Sequence, residues 1–195
     1  MTNKLRISIK ENTALLTIDN PPANTWDLES LNFLEESVKE LNNNKEIFSL
    51  IITGEGEKFF SAGADLKVFH EGGKDAAEKM TDAFSRAFGA LSNFRGFSVA
   101  AINGFAMGGG FMLVEGTDLR VAVREAVFEV SEAKRWLLGG YNHGHIANLP
   151  YSVAMEMALG FRFTAQRFYE IGFINRVVEA DELIPTALEM AEHLL

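Results

Sequence analysis

Three consecutive glycines, Gly108-Gly109-Gly110, constrain this chain more than any other feature. An apolar run, Phe97 to Ile102, precedes them and ends at the Asn103-Gly104 step. Phe111-Met112-Leu113-Val114, which can pack as a helix, follows them. The pattern predicts a buried strand, a short loop and a helix start. Glycine at a helix start costs backbone entropy, about 1 kcal/mol per residue against alanine. Two needs would offset that cost. One is bare backbone N–H groups for a ligand atom, because first-turn amides lack an intrahelical partner and the helix dipole adds positive potential. A carbonyl oxygen gaining negative charge would be stabilised there. The other is close packing of helix against sheet.

The rest of the chain alternates strand and helix. Leu5, Ile7, Ile9 and Ala14, Leu16, Ile18 alternate around Glu11-Asn12-Thr13, which predicts a hairpin. Asp27 caps a helix with the apolar face Leu28, Leu31, Leu34, Val38 and Leu41. Ile47 to Thr53 reads as a buried strand, Phe59 to Leu66 as a loop into a short helix, and Ala76 to Phe94 as a long helix after a break at His70 to Lys74. Beyond the glycines, Leu119–Val123 and Ala126–Val130 read as strands. Ser131 caps a helix containing Glu132, and Gly139 to His145 reads as a loop. Tyr151–Leu159 is helical, Thr164 caps another helix, Ile174–Val178 is a last strand and Asp181 opens a final helix. This order predicts an α/β fold with parallel βαβ succession, and no internal repeat is visible in the residues.

At 195 residues, a single domain with a sizeable core is expected. A net charge of -9 without any Lys/Arg cluster argues against a nucleic-acid partner. The absence of cysteine removes disulfides, thiol chemistry and cysteine zinc sites, and suits a cytoplasmic location. No apolar run is long enough to cross a bilayer, so no membrane partner is expected.

Two stretches share one design: a strand end, a small-residue loop and a helix start. They are Ser61-Ala62-Gly63-Ala64 and Met107-Gly108-Gly109. If their strands are neighbours, both helix starts face one crevice, where open α/β folds bind ligands. Two amides aimed at one oxygen form an oxyanion hole.

Phe60-Ser61-Ala62-Gly63-Ala64-Asp65-Leu66-Lys67 and Ala100-Ala101-Ile102-Asn103-Gly104-Phe105-Ala106-Met107-Gly108-Gly109-Gly110 together resemble the crotonase superfamily, the enoyl-CoA hydratase/isomerase family. Asn20-Pro21-Pro22-Ala23-Asn24, Asp118-Leu119-Arg120-Val121-Ala122, Val130-Ser131-Glu132-Ala133-Lys134 and Ile171-Gly172-Phe173-Ile174-Asn175-Arg176-Val177-Val178 extend the likeness along nearly the whole chain. The resemblance implies a spiral of ββα turns over residues 1–178, with 179–195 opening a C-terminal helical region. It implies an acyl-CoA thioester substrate held by the backbone N–H groups of Ala64 and Gly109, with no cofactor, because coenzyme A belongs to the substrate. By motif position, Ala23, Lys58, Ala62 and Leu66 would line the CoA site. Gly108, Met112, Trp136, Tyr141 and His143 would border the substrate. Lys58 also reads as a solvated lysine, and the other lining residues as packing.

Family members often carry one carboxylate two residues past the third glycine and another where Glu132 stands. This chain has Met112 at the first position. A thioether cannot give or take a proton, whereas hydration of an enoyl thioester is easiest with two carboxylates on the water. Moving a double bond needs one base. The resemblance therefore implies an isomerase with Glu132 as the catalytic acid–base, with hydratase, dehydratase or another lyase reaction as the alternative. A non-catalytic acyl-CoA-binding subunit is the competing reading. Glu132 also reads as a helix-dipole partner just after a Ser cap. His143 and His145 have no acidic neighbour to complete a metal site. They shape the acyl pocket, transfer protons, or are solvated. Family members continue past the position of Leu195, and their extra helices hold trimers together. Ile184, Ala187, Leu188, Ala191 and Leu195 form an apolar face that nothing after Leu195 covers. Either a partner subunit covers it, in a homo-oligomer such as a trimer or hexamer, or this is a shortened member with an altered CoA site.

Overall fold

Apolar alternation makes the expected hairpin, with β1 (Leu5–Lys10) antiparallel to β2 (Thr13–Ile18). The computed structural model describes residues 4–130, 132, 134 and 147–193, with 69 and 70 by backbone only. Beside β2, three strands continue the sheet in parallel: β4 (Ser49–Gly54), β7 (Phe97–Ile102) and β9 (Leu119–Val123). A last strand, β12 (Arg176–Val178), pairs in parallel with β9. Every residue of β4 is buried, as a parallel strand covered on both faces requires.

A second sheet runs alongside. Its strands β5 (Phe59–Ser61), β8 (Phe105–Met107) and β10 (Val127–Glu129) pair in parallel, and β11 (Phe163–Thr164) closes it antiparallel to β10. Strand order is therefore the same in both sheets: β4, β7, β9 in one and β5, β8, β10 in the other. Three successive turns of chain each lay one strand in the large sheet and one in the small sheet, and the first two leave through helices, Leu66–Ser92 and Gly109–Glu115. This is the spiral of ββα turns. A two-stranded ladder completes it, β3 (Thr25–Trp26) with β6 (Gly63–Ala64).

Two differences from the sequence reading share one cause. Phe59 to Leu66 is not a plain loop but contains β5 and β6, and the connection after Asn103 contains β8. Strands of two or three residues are too short to show an alternation, and their pairing partners lie far away in sequence.

Helix ends follow local chemistry. Asp27 opens α1 (Leu28–Asn43) with a capping box, its carboxylate accepting from Ser30 N at 2.9 Å. Asp65 opens α2 (Leu66–Ser92), accepting from Lys67 N. The expected break survives inside α2 as a kink at Gly73, whose φ of 60° leaves the helical region. Thr164 caps α5 (Ala165–Glu170), which follows α4 (Tyr151–Ala158). The final helix, α6 (Leu183–Glu192), begins after a 3-10 turn at Ala180–Glu182. Its apolar face is not left uncovered. Leu183, Ala187 and Ala191 are buried on the large sheet, against β4, β7 and β9.

The helix that carries the glycines, α3 (Gly109–Glu115), is fastened at both ends. Phe111 sits fully buried in an aromatic group with Phe128, Phe168 and Phe173, at ring separations of 5.6–6.2 Å. At the other end, the Arg120 guanidinium donates to the carbonyls of Val114 at 2.9 Å, Glu115 at 3.1 Å and Thr117 at 2.5 Å. It also lies 4.4 Å from the Phe173 ring. A cation here complements the negative end of the helix dipole. Burial pushes the Arg120 pKa below its ordinary value, while the nearby Glu115 and Asp118 carboxylates favour its charged form. Arg120→Met keeps the stem but strips three carbonyls of their donor. Loss of charged hydrogen bonds is expected to cost about 2 kcal/mol. Calorimetry should show a Tm lower by about 4–8 °C for a chain of this size.

Among the described residues, no helix is long and apolar enough to cross a membrane.

Candidate active site

Two asparagines set where β5 begins. Asn24, buried at 4% exposure, donates to the carbonyls of Glu55 at 3.0 Å and Phe59 at 2.8 Å. Asn103 donates to those of Gly56 at 2.7 Å and Phe59 at 3.2 Å, and accepts from Gly54 N at 3.0 Å. The connection from β4 is thereby fixed, and β5 enters the small sheet beside β8. The segment following each strand is then brought to the same place.

The two small-residue turns meet. Gly63 has a φ of +86°, and a methyl group on it would stand 2.8 Å from Met107 O and 2.9 Å from Gly109 N. Backbone therefore packs on backbone, and only glycine fits both the conformation and the space. Gly108 adopts φ 50° and ψ -119°, and its N–H donates to Glu129 O at 2.9 Å. A methyl on Gly108 would lie 2.9 Å from Glu132 Oε1, so the Glu132 carboxyl rests against this turn. Glu132 is half-buried.

The contacts of the glycine run meet the packing need directly. Gly110 is a packing residue, since a methyl there would fall 2.2 Å from Ser61 O. Gly109 backs onto the Phe84 ring of α2, with Cε1 2.9 Å from the methyl position. Gly109 is also the first residue of α3, where an amide has no acceptor within the helix.

The other predicted residues fall into groups. Ala62 N donates to Ala23 O at 2.9 Å, and β3 pairs Trp26 with Ala64, so Ala23, Ala62 and Ala64 lie together. Leu66 opens α2 at 43% exposure, high for leucine. Lys58 is exposed just before β5, its ammonium 5.4 Å from the Phe59 ring centre. Met112 is half-buried on α3, its N–H donating to Gly108 O. Trp136, Tyr141, His143 and His145 lie outside the described residues, as do Ser131 and most of the helix expected after it.

Two residues of the site escaped the sequence reading. Phe84 reads as one more apolar position on α2. Glu129 offered a signal, a carboxylate within the apolar run Val127-Phe128-Glu129-Val130. Its side chain is 8% exposed and accepts from Arg162 Nε at 2.6 Å and Lys134 Nζ at 3.2 Å. Burial opposes its ionisation, yet these two cations outweigh it and hold the Glu129 carboxyl below the usual carboxylate range.

Comparison with known proteins agrees with this fold. Residues 8–195 match the family model described as enoyl-CoA hydratase/isomerase. The chain is 33% identical over 207 residues to a short-chain-enoyl-CoA hydratase of Clostridium acetobutylicum, covering 99% of this chain and 76% of that protein. It is 35% identical over 188 residues to a carnitinyl-CoA dehydratase of Salmonella enteritidis, covering 92% and 70%. Among solved structures, Pseudomonas aeruginosa DspI superposes with a TM-score of 0.94 at 42% identity, covering 99% of this chain and 80% of that one. An enoyl-CoA hydratase from Bacillus anthracis superposes at 0.93 and 25% identity, covering 98% and 76%. With its strand order, its paired glycine turns and these matches in accord, the chain belongs to the enoyl-CoA hydratase/isomerase family of the crotonase superfamily.

Proposed function

We propose that the protein moves a double bond in an acyl-CoA thioester through an enolate, with Glu132 carrying the proton and the amides of Ala64 and Gly109 holding the thioester oxygen. The supporting observation is the meeting of three distant segments: Gly63 lies against the Gly109 amide, and the Glu132 carboxyl lies against Gly108. A thioester carbonyl held by two amides becomes a better electron sink, which acidifies the neighbouring carbon. Glu132 takes a proton from C2 or C4 and returns it at the other carbon, so the double bond shifts without a further reactant. Ala23, Ala62 and Leu66 hold the CoA moiety, with Lys58 near its phosphates.

Met112 favours isomerisation over hydration. Adding water calls for one group to accept and another to donate a proton, and methionine does neither. The hydratase and dehydratase names of the relatives favour the second reading, addition or removal of water. The test is spectroscopic. With a 3-enoyl-CoA, conjugated-thioester absorbance should rise, and faster than it falls when a 2-enoyl-CoA is offered with water alone. Faster hydration overturns the isomerase reading. Tight thioester binding without conversion of either substrate makes the chain an acyl-CoA binder.

A further inference from the structure

Glu129 ends β10, three residues before Glu132, and touches both halves of the site. Its backbone carbonyl accepts from Gly108 N at 2.9 Å, fixing the turn on which the Glu132 carboxyl rests. Its carboxylate accepts from Lys134 at 3.2 Å, two residues beyond Glu132. The pair 129–134 thus closes a short arc of chain with Glu132 inside it. Arg162 anchors the arc from outside, donating to Glu129 Oε2 at 2.6 Å. It directly precedes β11, which pairs antiparallel with β10 through Val127–Thr164 and Phe128–Phe163. Arg162 therefore faces Glu129 in continued register. The stem of Lys134 is also held, with its Cε 2.7 Å from the methyl position of Gly160.

A surface ion pair would carry little weight. This one differs because its carboxylate is 8% exposed while the Lys134 and Arg162 side chains are 51% and 68% exposed. The buried partner is the centre of the clasp. One residue thus bonds the turn before Gly109 through its carbonyl and the chain two residues past Glu132 through its carboxylate.

We propose that Glu129 is a positioning residue for Glu132, with Lys134 and Arg162 as the two arms of a clasp that holds the Glu132 carboxyl against the Gly108 turn. This rests on the reading of Glu132 as the proton carrier. Misplacing a reacting group by about 1 Å costs rate on the order of 100-fold. Glu129→Gln keeps shape and hydrogen bonding but drops the charge, and leaves only exposed cations behind. Lys134→Met keeps the stem against Gly160 and removes the ammonium.

The experiment is a cycle of Glu129→Gln, Glu132→Gln and the double variant, with Lys134→Met and Lys134→Arg alongside. Each is assayed with a 3-enoyl-CoA and with crotonyl-CoA. Glu129→Gln and Lys134→Met should lower kcat by about 10- to 100-fold with KM changed less than about threefold, and Lys134→Arg should restore most of the loss. In the Glu132→Gln background, Glu129→Gln should have no further effect, because the group it positions is gone. An equal loss in both backgrounds, or a rise in KM at constant kcat, overturns the positioning role and leaves the proposed function standing. Full activity of Glu132→Gln itself removes both.

Discussion

Glu132→Gln should lower turnover of a 3-enoyl-CoA by about 100- to 10,000-fold, the range that a general acid–base group contributes. The amide fills the same space against Gly108 and can still donate or accept a hydrogen bond, but it cannot carry a proton between carbons. Binding of the CoA thioester should change by less than about threefold, because in the proposed function main-chain amides hold the substrate oxygen and the substitution leaves them in place. The Tm should move by no more than about 2 °C, since Glu132 is half-buried and belongs to no core cluster. Steady-state kinetics, calorimetric titration of a non-reacting acyl-CoA and a thermal melt check the three parts. A variant that turns over at the wild-type rate ends the assignment. One that has lost thioester binding along with rate recasts Glu132 as a binding residue.

Legibility in the sequence follows the range of each interaction. Asp27 and Thr164 are readable as caps because each bonds an amide three residues on. The central strands are readable because parallel burial on two faces leaves an unbroken apolar run, as in Leu50-Ile51-Ile52. The ββα repetition cannot be found by periodicity. Its second strands, β5, β8 and β10, are three residues long, and what repeats is their place in two sheets rather than their composition. The site divides in the same way. The Gly108–Gly110 run announces itself through the cost of its residues, but the contact each glycine makes room for lies elsewhere in the chain. For Gly110 it is Ser61, for Gly109 the Phe84 ring, and for Gly108 Glu132. Glu129 is hardest to read, since the Arg162 that makes its burial tolerable lies 33 residues away. The resemblance to a family places Glu132, Ala64 and Gly109 together before any of these contacts is known. It says nothing of Glu129.

Gly63→Ala should damage both stability and activity, and a matched control can separate its two causes. Alanine at a positive φ costs about 1–2 kcal/mol in backbone strain. Gly172 supplies that cost alone: its φ is +80° and nothing lies within 4 Å of the methyl position. At Gly63, with φ +86°, the methyl also meets Met107 O at 2.8 Å and Gly109 N at 2.9 Å. Both are main-chain atoms that no rotamer change can move, so β6 and the start of α3 must part. Overpacking adds about 1–3 kcal/mol. Gly63→Ala should therefore melt about 4–20 °C below wild type, and Gly172→Ala about 2–8 °C below. Activity should divide more sharply. Gly172→Ala should keep wild-type kcat, whereas Gly63→Ala should lose about 100- to 1,000-fold at a temperature where both are folded, the loss expected when one oxyanion donor is displaced. Equal kinetics in the two variants would mean that the contact between the turns serves packing alone, and the thioester oxygen would have to be held elsewhere.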